Sequence, residues 1–346
     1  MTDKPAITPI EQADEGAVLR ILRRHMRLGW DSALPPPGYL TWLEKAAAVA
    51  GFPSPILGWK LTQQQKTRGV LLVTPFRNID ADGRPFHDLV GHNFFVDEEL
   101  RGLPSFGLFQ RMLALRGRAR LKATTTNDIS SKLWSRLGAV ATAGADVEFC
   151  RTRVSGKVLT EAIGRAIPRS VPLLFRCVPP SRNMSERLDR VADSLGGVED
   201  IPREQAIECA AKLASTEPGP RLDITAEFLE WILADPVVPR RLLVIRADGR
   251  LSAVCLAGFT RGLWNQIPAI AVVGIWSEGG GVNGDTLTRV FDACFRQAHM
   301  VRLECDVRRL QLPAGIRCRT LRAPRRWIMA NPDLPSDDHW TGLDAL

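Results

Sequence analysis

The stretch from His92 to Ala139 constrains the fold more than any other part of the chain. It follows the apolar run LV, reads HNFFV to Val96, turns through DEELRG, and passes into LPSFGLFQRML, a segment with helical spacing of its apolar residues. A β-branched run, RLKATTT, then leads into Asn127. In the segment that follows, Ser130, Leu133, Trp134 and Leu137 recur three or four residues apart, and Gly138 comes next. Spacings of three and four mark one face of a helix, and a glycine just past the last periodic residue marks its C-cap. The order is therefore strand ending near Val96, loop, helix beginning around Gly107, strand, helix. Glycines and turn residues before a helix let backbone N–H groups point outward, and a helix N-terminus carries about half a positive charge. Together these suit a pyrophosphate, with Arg101 adding charge at the rim.

The rest of the chain repeats this plan. An amphipathic helix over Glu11–Met26 has its counterpart over Ile201–Ala214. The aromatic-rich GYLTWLEKAAAVA at 38–50 matches TAEFLEWILADP at 225–236. Strands in ILGWKLTQQQ and RGVLLVTP match RLLVIRADGRLSAVCLAGFTRG, where Asp248-Gly249 between apolar runs signals a hairpin; Asp82-Gly83 is the weaker equivalent. AIAVVGIW, SEGGGVNGD, TLTRVFDACFRQA and MVRLECDV then mirror the 92–139 order. Helices followed by antiparallel strands and strand–loop–helix units predict an α/β (α+β) architecture with a mixed sheet in each half. The Pro- and Ser-containing VPPSRNMSERL places the division near 180–195, giving domains 1–180 and 181–346.

The chain has 346 residues, 45% of them apolar and 24% charged, which is enough for one or two real cores. It has no apolar run long enough to cross a bilayer, and its polar, acidic N-terminus lacks a secretory signal's basic start and apolar core; a cytoplasmic protein is expected. Seven cysteines at scattered positions, none in CxxC spacing, predict reduced thiols, with no disulfide framework and no metal. The net charge of +8 is carried mostly by arginine, in runs at 20–27, 116–122 and 317–326. A phosphate-bearing ligand, a nucleic acid or a solvated basic face would each account for it. Nucleic acid is disfavoured, because aromatic interleaving and helix-turn-helix, RNP or zinc-finger signatures are missing.

The order V-D-x-E-x-R-G, then helix, then N-x-x-S-x-x-L-W-x-R-L-G-A resembles the GNAT superfamily of acyl-CoA N-acyltransferases. Val96, Glu99, Arg101 and Gly102 match the first motif. Asn127, Ser130, Leu133, Arg136, Leu137 and Gly138 match the second. The paired motif covers about 50 residues, and the element order extends it loosely over 1–165 and faintly over the second half, which reads as a degenerate copy. The closing RRWIMANPDLPSDDHWTGLDAL is similar to the tail of tandem GNAT-like proteins of bacterial polysaccharide biosynthesis.

The resemblance implies acetyl-CoA or another acyl-CoA as co-substrate. The cofactor would lie in a splay between two strands, its pantetheine arm against the backbone of Phe95 and Val96 and its pyrophosphate on N–H groups of Leu103 to Gly107, including Ser105 and Phe106. Arg101 and Gly102 would form the rim, Asn127 would bond to the pantetheine or help set the strand end, and Ser130 on the helix that follows would join them in binding the cofactor. A small-molecule or sugar acceptor would attack the thioester directly through an amino or hydroxyl group. A non-catalytic binding protein of the same fold, or an aminoacyl or peptidyl transferase with a tRNA donor, would fit the same resemblance, and a homodimer is compatible with it.

His92 and Glu98 are the candidate catalytic residues, with Asp97 beside them. An imidazole titrates near neutral pH and is suited to deprotonating an ammonium or hydroxyl. The pattern departs from the family at Pro104, which has no N–H, at Phe106, where small residues are usual, and at Trp134, where an indole replaces a tyrosine hydroxyl. The chain's one tyrosine is Tyr39. In the second half the four glycines of SEGGGVNGD could cradle a phosphate, and Trp264, Trp276, Trp327 and Trp340 read as core or interface residues.

Overall fold

The computed structural model describes residues 4–26, 35–124, 126, 128–142, 147–152, 184–195, 201–247, 250–261, 268–278, 282–298, 300–304, 310–312, 316–320 and 326–329. In chain order the elements begin with β1 (Ala6–Pro9), α1 (Glu15–Met26), α2 (Tyr39–Val49), β2 (Gly58–Gln63), β3 (Lys66–Ile79) and β4 (Pro85–Val96). Next come α3 (Leu103–Leu113), β5 (Arg120–Ala123), α4 (Asp128–Arg136), β6 (Val140–Ala141), β7 (Val147–Thr152), α5 (Met184–Ser194) and α6 (Arg203–Ser215). The chain continues with β8 (Arg221–Leu222), α7 (Ala226–Leu233), β9 (Arg240–Ala247), β10 (Arg250–Arg261) and β11 (Pro268–Ser277), then α8 (Gly284–Gln297), β12 (Met300–Leu303), β13 (Arg317–Thr320) and β14 (Trp327–Met329).

Two compact units interleave along the chain. One takes Met1–Val147, Glu217–Val237 and Thr320–Leu346; the other takes Glu148–Thr216 and Val238–Arg319. The division expected near 180–195 is drawn along the sequence, whereas these units are drawn in space and both take residues from each side of it.

The first unit's sheet runs β1-β2-β3-β4-β5-β14-β6, with β8 paired to β3. Its pairs are antiparallel except β4 with β5, which run parallel. The second sheet runs β13-β7-β12-β11-β10-β9, again with a parallel pair, β11 with β12. Set side by side, β2-β3-β4-β5-β14-β6 and β9-β10-β11-β12-β7-β13 are the same sheet, each completed by a strand from the other half of the sequence. The duplicated plan read from the sequence is present, with this exchange added.

Alternation along β3, β4 and β5 gives the first sheet two different faces. Leu71, Val73, Leu89, Leu121 and Ala123 turn toward α3 and α4, where they meet Phe109, Met112 and Trp134 in one apolar cluster. Gly91 is on this face because a Cβ there would come within 2.8 Å of Met112 Sδ. The opposite face carries Thr74, Phe76, Asp88, His92, Arg120 and Lys122, all buried. Phe76 there lies edge-on to Phe228 and Trp231 of α7.

The α2–α7 contact is built on a reciprocal tryptophan pair. Trp42 and Trp231 stack with ring centroids 4.8 Å apart and planes 13° from parallel. Each indole N–H donates to the other residue's carbonyl at 2.9 Å. Both polar atoms are thereby satisfied inside an apolar contact, as a buried indole requires. At the near end of α2, Glu15 Oε1 of α1 accepts from the N–H groups of Gly38 at 2.9 Å and Leu40 at 3.1 Å.

The second unit packs α5 and α8 against its sheet around Leu243, Cys255, Ile270, Val290 and Phe291. Asn283 caps α8 by accepting from Thr286 N–H at 2.7 Å. Asp248-Gly249, the 279–281 glycine run, Trp264 and Trp340 lie outside the described residues. Trp276 and Trp327 are buried. Cys209, Cys255 and Cys294 are free thiols, and burial pushes the Cys294 thiol up to about 12. Among the described residues no helix is long and apolar enough to cross a membrane, and no group of three or more His, Cys, Asp or Glu is placed to hold a metal.

Candidate active site

The site is built where β4 and β5 part. Their parallel ladder runs from Asp88↔Arg120 through Leu89↔Leu121 to Val90↔Lys122. Beyond it β4 continues six residues to Val96, while β5 ends at Ala123. Opposite this stretch the β3–β4 register slips between Val70↔Phe95 and Leu72↔His92, so Asn93 and Phe94 together face Leu71. This is a β-bulge, and Asn93 takes a positive φ of 49° to make it. Bulges re-aim side chains and sharpen local twist beside active sites; here one lies where the two strands diverge.

Just past β4 the chain makes a short 3-10 turn over Glu98–Leu100 and enters α3 at Leu103, earlier than the start near Gly107 read from the sequence. Gly102 has φ 112°, a conformation that favours glycine, and puts the turn directly onto the helix. Its N–H donates to Ser105 Oγ at 3.0 Å, and that hydroxyl donates back to the Gly102 carbonyl at 2.8 Å. Ser105's side chain is therefore occupied in closing the helix start. Phe106 N–H already bonds the Gly102 carbonyl at 2.9 Å, and Pro104 has none. The N–H groups of Leu103 and Ser105 are left in the helix's first turn, where backbone donors lack helical acceptors.

Phe106 does not fill the mouth of this turn; its ring packs against the apolar cluster under α3. Gly107 lies beyond the first turn, and its missing Cβ is used for packing, since one would come within 2.5 Å of Ile7 Cδ1. Leu103 is 87% exposed. Arg101 Nε reaches back to the Val96 carbonyl at 3.5 Å. Phe95 and Val96 are buried in β4, in register with Val70 and Gly69.

The sequence-derived catalytic pair is not brought together. His92 is buried in β4, whereas Glu98 is exposed in the turn beyond the strand. The bulge at Asn93 and the end of β4 at Val96 lie between them, so one side chain is inside the sheet and the other outside it. Asp97 is not a solvated turn residue. It is buried, with Arg24 Nη1 at 2.9 Å and Arg68 Nε at 2.8 Å, and so ties α1 and β3 to the end of β4.

Instead, His92 belongs to a polar chain of four side chains. Asn93 Nδ2 donates to His92 Nδ1 at 3.1 Å, which leaves the ring proton on Nε2 to donate to Thr74 Oγ1 at 2.8 Å. The same amide reaches Tyr39 Oη at 3.3 Å. Burial pushes the His92 pKa down to about 4, so the ring is neutral across the physiological range. Both ring nitrogens are engaged; the imidazole positions Asn93 at the bulge and has no lone pair left for a substrate proton. Tyr39, the one tyrosine, is brought to this bulge by the first residue of α2.

On the same face, Asp88 takes Arg120 Nε at 2.7 Å and Nη2 at 3.1 Å on its two oxygens, and Lys122 Nζ at 2.7 Å. Arg120 also lies 4.4 Å over the Phe86 ring. Burial raises the Asp88 pKa, but Lys122 and Arg120, through charge and hydrogen bonds, outweigh it and hold the carboxyl below its ordinary value. A buried charge group of this kind fixes which side chains share a face more than it adds net stability.

Asn127 lies outside the described residues. Ser130 is half-buried on α4. Ser131 bonds Thr126 at 2.8 Å. Trp134 is buried in the apolar cluster with Leu89, Leu121 and Ala123, edge-on to Phe109 at 5.7 Å. Gly138, with φ 82°, closes α4 as the sequence predicted, and the next N–H, from Ala139, bonds back to the Trp134 carbonyl at 3.1 Å.

A mixed sheet with one parallel pair that parts at a bulge, beside a helix N-terminus, and present twice, can be compared with solved structures. Saccharomyces cerevisiae N-myristoyltransferase with bound myristoyl-CoA superposes over 99% of this chain and 89% of its own, with a TM-score of 0.54 at 11% identity. The chain has the GNAT fold. A GCN5-related N-acetyltransferase from Anabaena variabilis matches over 94% of this chain and 72% of its own (TM-score 0.50, 11% identity). A probable N-acyltransferase from Enterococcus faecalis matches over 96% and 73% (TM-score 0.53, 10% identity). No family model and no curated protein matches the sequence. These neighbours are N-acyltransferases by name, one of them probable and one with myristoyl-CoA bound, and they cover nearly the whole of this chain.

Proposed function

We propose that the chain is a cytoplasmic acyl-CoA-dependent acyltransferase whose first unit binds the acyl-CoA and passes its acyl group to an amino or hydroxyl acceptor. The parting of β4 from β5 at the Asn93–Phe94 bulge carries this reading. A thioester in that gap would lie against strand backbone, with its pyrophosphate toward Leu103 and Ser105 N–H and Arg101. The acceptor nitrogen or oxygen bonds to the thioester carbonyl carbon, the carbon–sulfur bond breaks, and the thiol leaves with the proton the acceptor gives up. Donors fixed at the developing oxyanion supply the stabilisation such a step needs. A sugar acceptor and a place in polysaccharide biosynthesis rest on the sequence resemblance of the C-terminal stretch, of which Arg326–Met329 are described.

Titration of the protein with acetyl-CoA and with longer acyl-CoAs by calorimetry is expected to give saturable heat for at least one chain length. Gly102→Val, which strains the φ 112° turn, is expected to weaken it at least tenfold. Absence of heat across the acyl series sinks the reading.

A reading as a non-catalytic binding protein of the same fold is favoured by one observation, the engagement of both His92 nitrogens. Thiol release from the bound acyl-CoA with any of a panel of amines and amino sugars excludes it.

A further inference from the structure

Asn93 forms the bulge on β4 and does so at a φ of 49°. Asparagine is one of the few residues besides glycine found in this conformation. Glycine would adopt it with less strain, so the backbone alone does not call for a carboxamide. The side chain is held at both of its hydrogens. Nδ2 donates to His92 Nδ1 at 3.1 Å and to Tyr39 Oη at 3.3 Å.

The groups that hold it are themselves sealed in the fold. His92 is 4% exposed and is bonded through Nε2 to the buried hydroxyl of Thr74. Tyr39 is also 4% exposed, and Glu15 fixes the start of α2 that carries it through the N–H groups of Gly38 and Leu40. A carboxamide is planar, so fixing its nitrogen also fixes its oxygen. Among the described residues nothing bonds Asn93 Oδ1. Asn93 is half-buried, and this oxygen is not one of the polar atoms shut away from solvent. Two hydrogen bonds therefore leave one oriented, reachable acceptor. It belongs to the stretch of β4 that has no β5 partner, three residues past the last ladder pair, Val90↔Lys122.

We infer that Asn93 Oδ1 receives an N–H or O–H of the acceptor and so aims the nucleophile at the thioester. The inference deepens the acyl-transfer reading and rests on it. An amine held through one N–H keeps its lone pair for the carbonyl carbon, and orienting two reactants beforehand removes part of the entropic barrier. The amide oxygen takes no proton; the proton leaves with the thiol. Asn93 is then a catalytic residue, and His92, Thr74 and Tyr39 are positioning residues that act through it. His92 Nδ1 does so as an acceptor, which draws the NH2 group inward and leaves the oxygen outward.

The test uses the full chain, acyl-CoA calorimetry, and thiol release with whichever of a panel of primary amines and amino sugars the parent uses best. Asn93→Gly suits the bulge and removes the side chain. It is expected to bind acyl-CoA with the parent's Kd and to lose about tenfold in kcat/KM for the amine, the effect of one lost hydrogen bond. Asn93→Asp still offers an oxygen and is expected to keep most of the parent's kcat/KM. Tyr39→Phe leaves the bulge alone and loosens the amide; kcat/KM is expected to fall severalfold with Kd unchanged, so the test survives a glycine variant that does not fold. Parent-like turnover in Asn93→Gly or in Tyr39→Phe overturns the inference and leaves the transferase reading standing. So does a loss in Asn93→Asp equal to that in Asn93→Gly, which would put the NH2 group outward, or a loss of acyl-CoA affinity that matches the loss of turnover. A parent that gives no heat with any acyl-CoA, or releases no thiol to any amine, fails the transferase reading, and the inference falls with it.

Discussion

His92 shows how burial changes what a side chain is for. Its ring sits in β4 with Thr74 on one nitrogen and Asn93 on the other, and burial pushes its pKa down to about 4. An unfolded histidine titrates near 6.5. Between those values the unfolded chain binds a proton that the folded chain refuses, so stability is full above pH 6.5 and declines as pH falls toward 4. A fall from 6.5 to about 4 corresponds to a loss on the order of 3 kcal/mol. Urea titrations from pH 7.5 to 4 are expected to show this decline in the parent and a flatter profile in His92→Gln, which cannot take up a proton. Equal slopes would remove His92 from the account. The sequence singled out His92, but with no knowledge of what would cover it. Glu98 was drawn beside it only by closeness in the chain, and a strand puts close neighbours far apart.

Helix and strand identities were more legible, because amphipathic periods and caps are local. Gly138 closes α4 and Thr225 caps α7 by accepting from Phe228 N–H at 3.1 Å. Asp80 Oδ1 and Gly83 turn β3 into β4 at the Asp82-Gly83 hairpin. The start of α3 was placed late because Pro104 and Ser105 read as loop, although proline at the first turn and a serine that bonds the N-cap backbone both suit a helix start. The packing of α2 on α7 was beyond local reading, since its indoles are 189 residues apart. Trp231→Ala removes the stacked ring, its N–H bond to Trp42 and its edge contact with Phe76. The expected cost is about 3–5 kcal/mol, read as a lower urea midpoint with an unchanged m-value. A change under 1 kcal/mol would mean that α7 is held to the first unit by other contacts.

At the scale of the whole molecule, the chain's two halves each lend a strand to the other's sheet, β7 to one and β14 to the other. The duplicated plan was readable as a repeating order of elements. The exchange was not, because β14 is three residues long and its partner is chosen by an open sheet edge. A fragment of residues 1–180 carries the whole GNAT-like motif yet lacks α7 and β14, exposing Trp42 and the free edge of β5. It is expected to be insoluble or to lose near-ultraviolet circular dichroism; a soluble fragment with a cooperative melt would show that the exchange is dispensable. The exchange also sets an order of events at the ribosome. The first sheet gains β14 only when residues 327–329 emerge, roughly 180 residues after β7, which at 5–20 residues per second is on the order of ten to forty seconds. Throughout that interval the nascent chain presents an unfinished sheet edge, a surface that invites pairing with other chains until three late residues cover it.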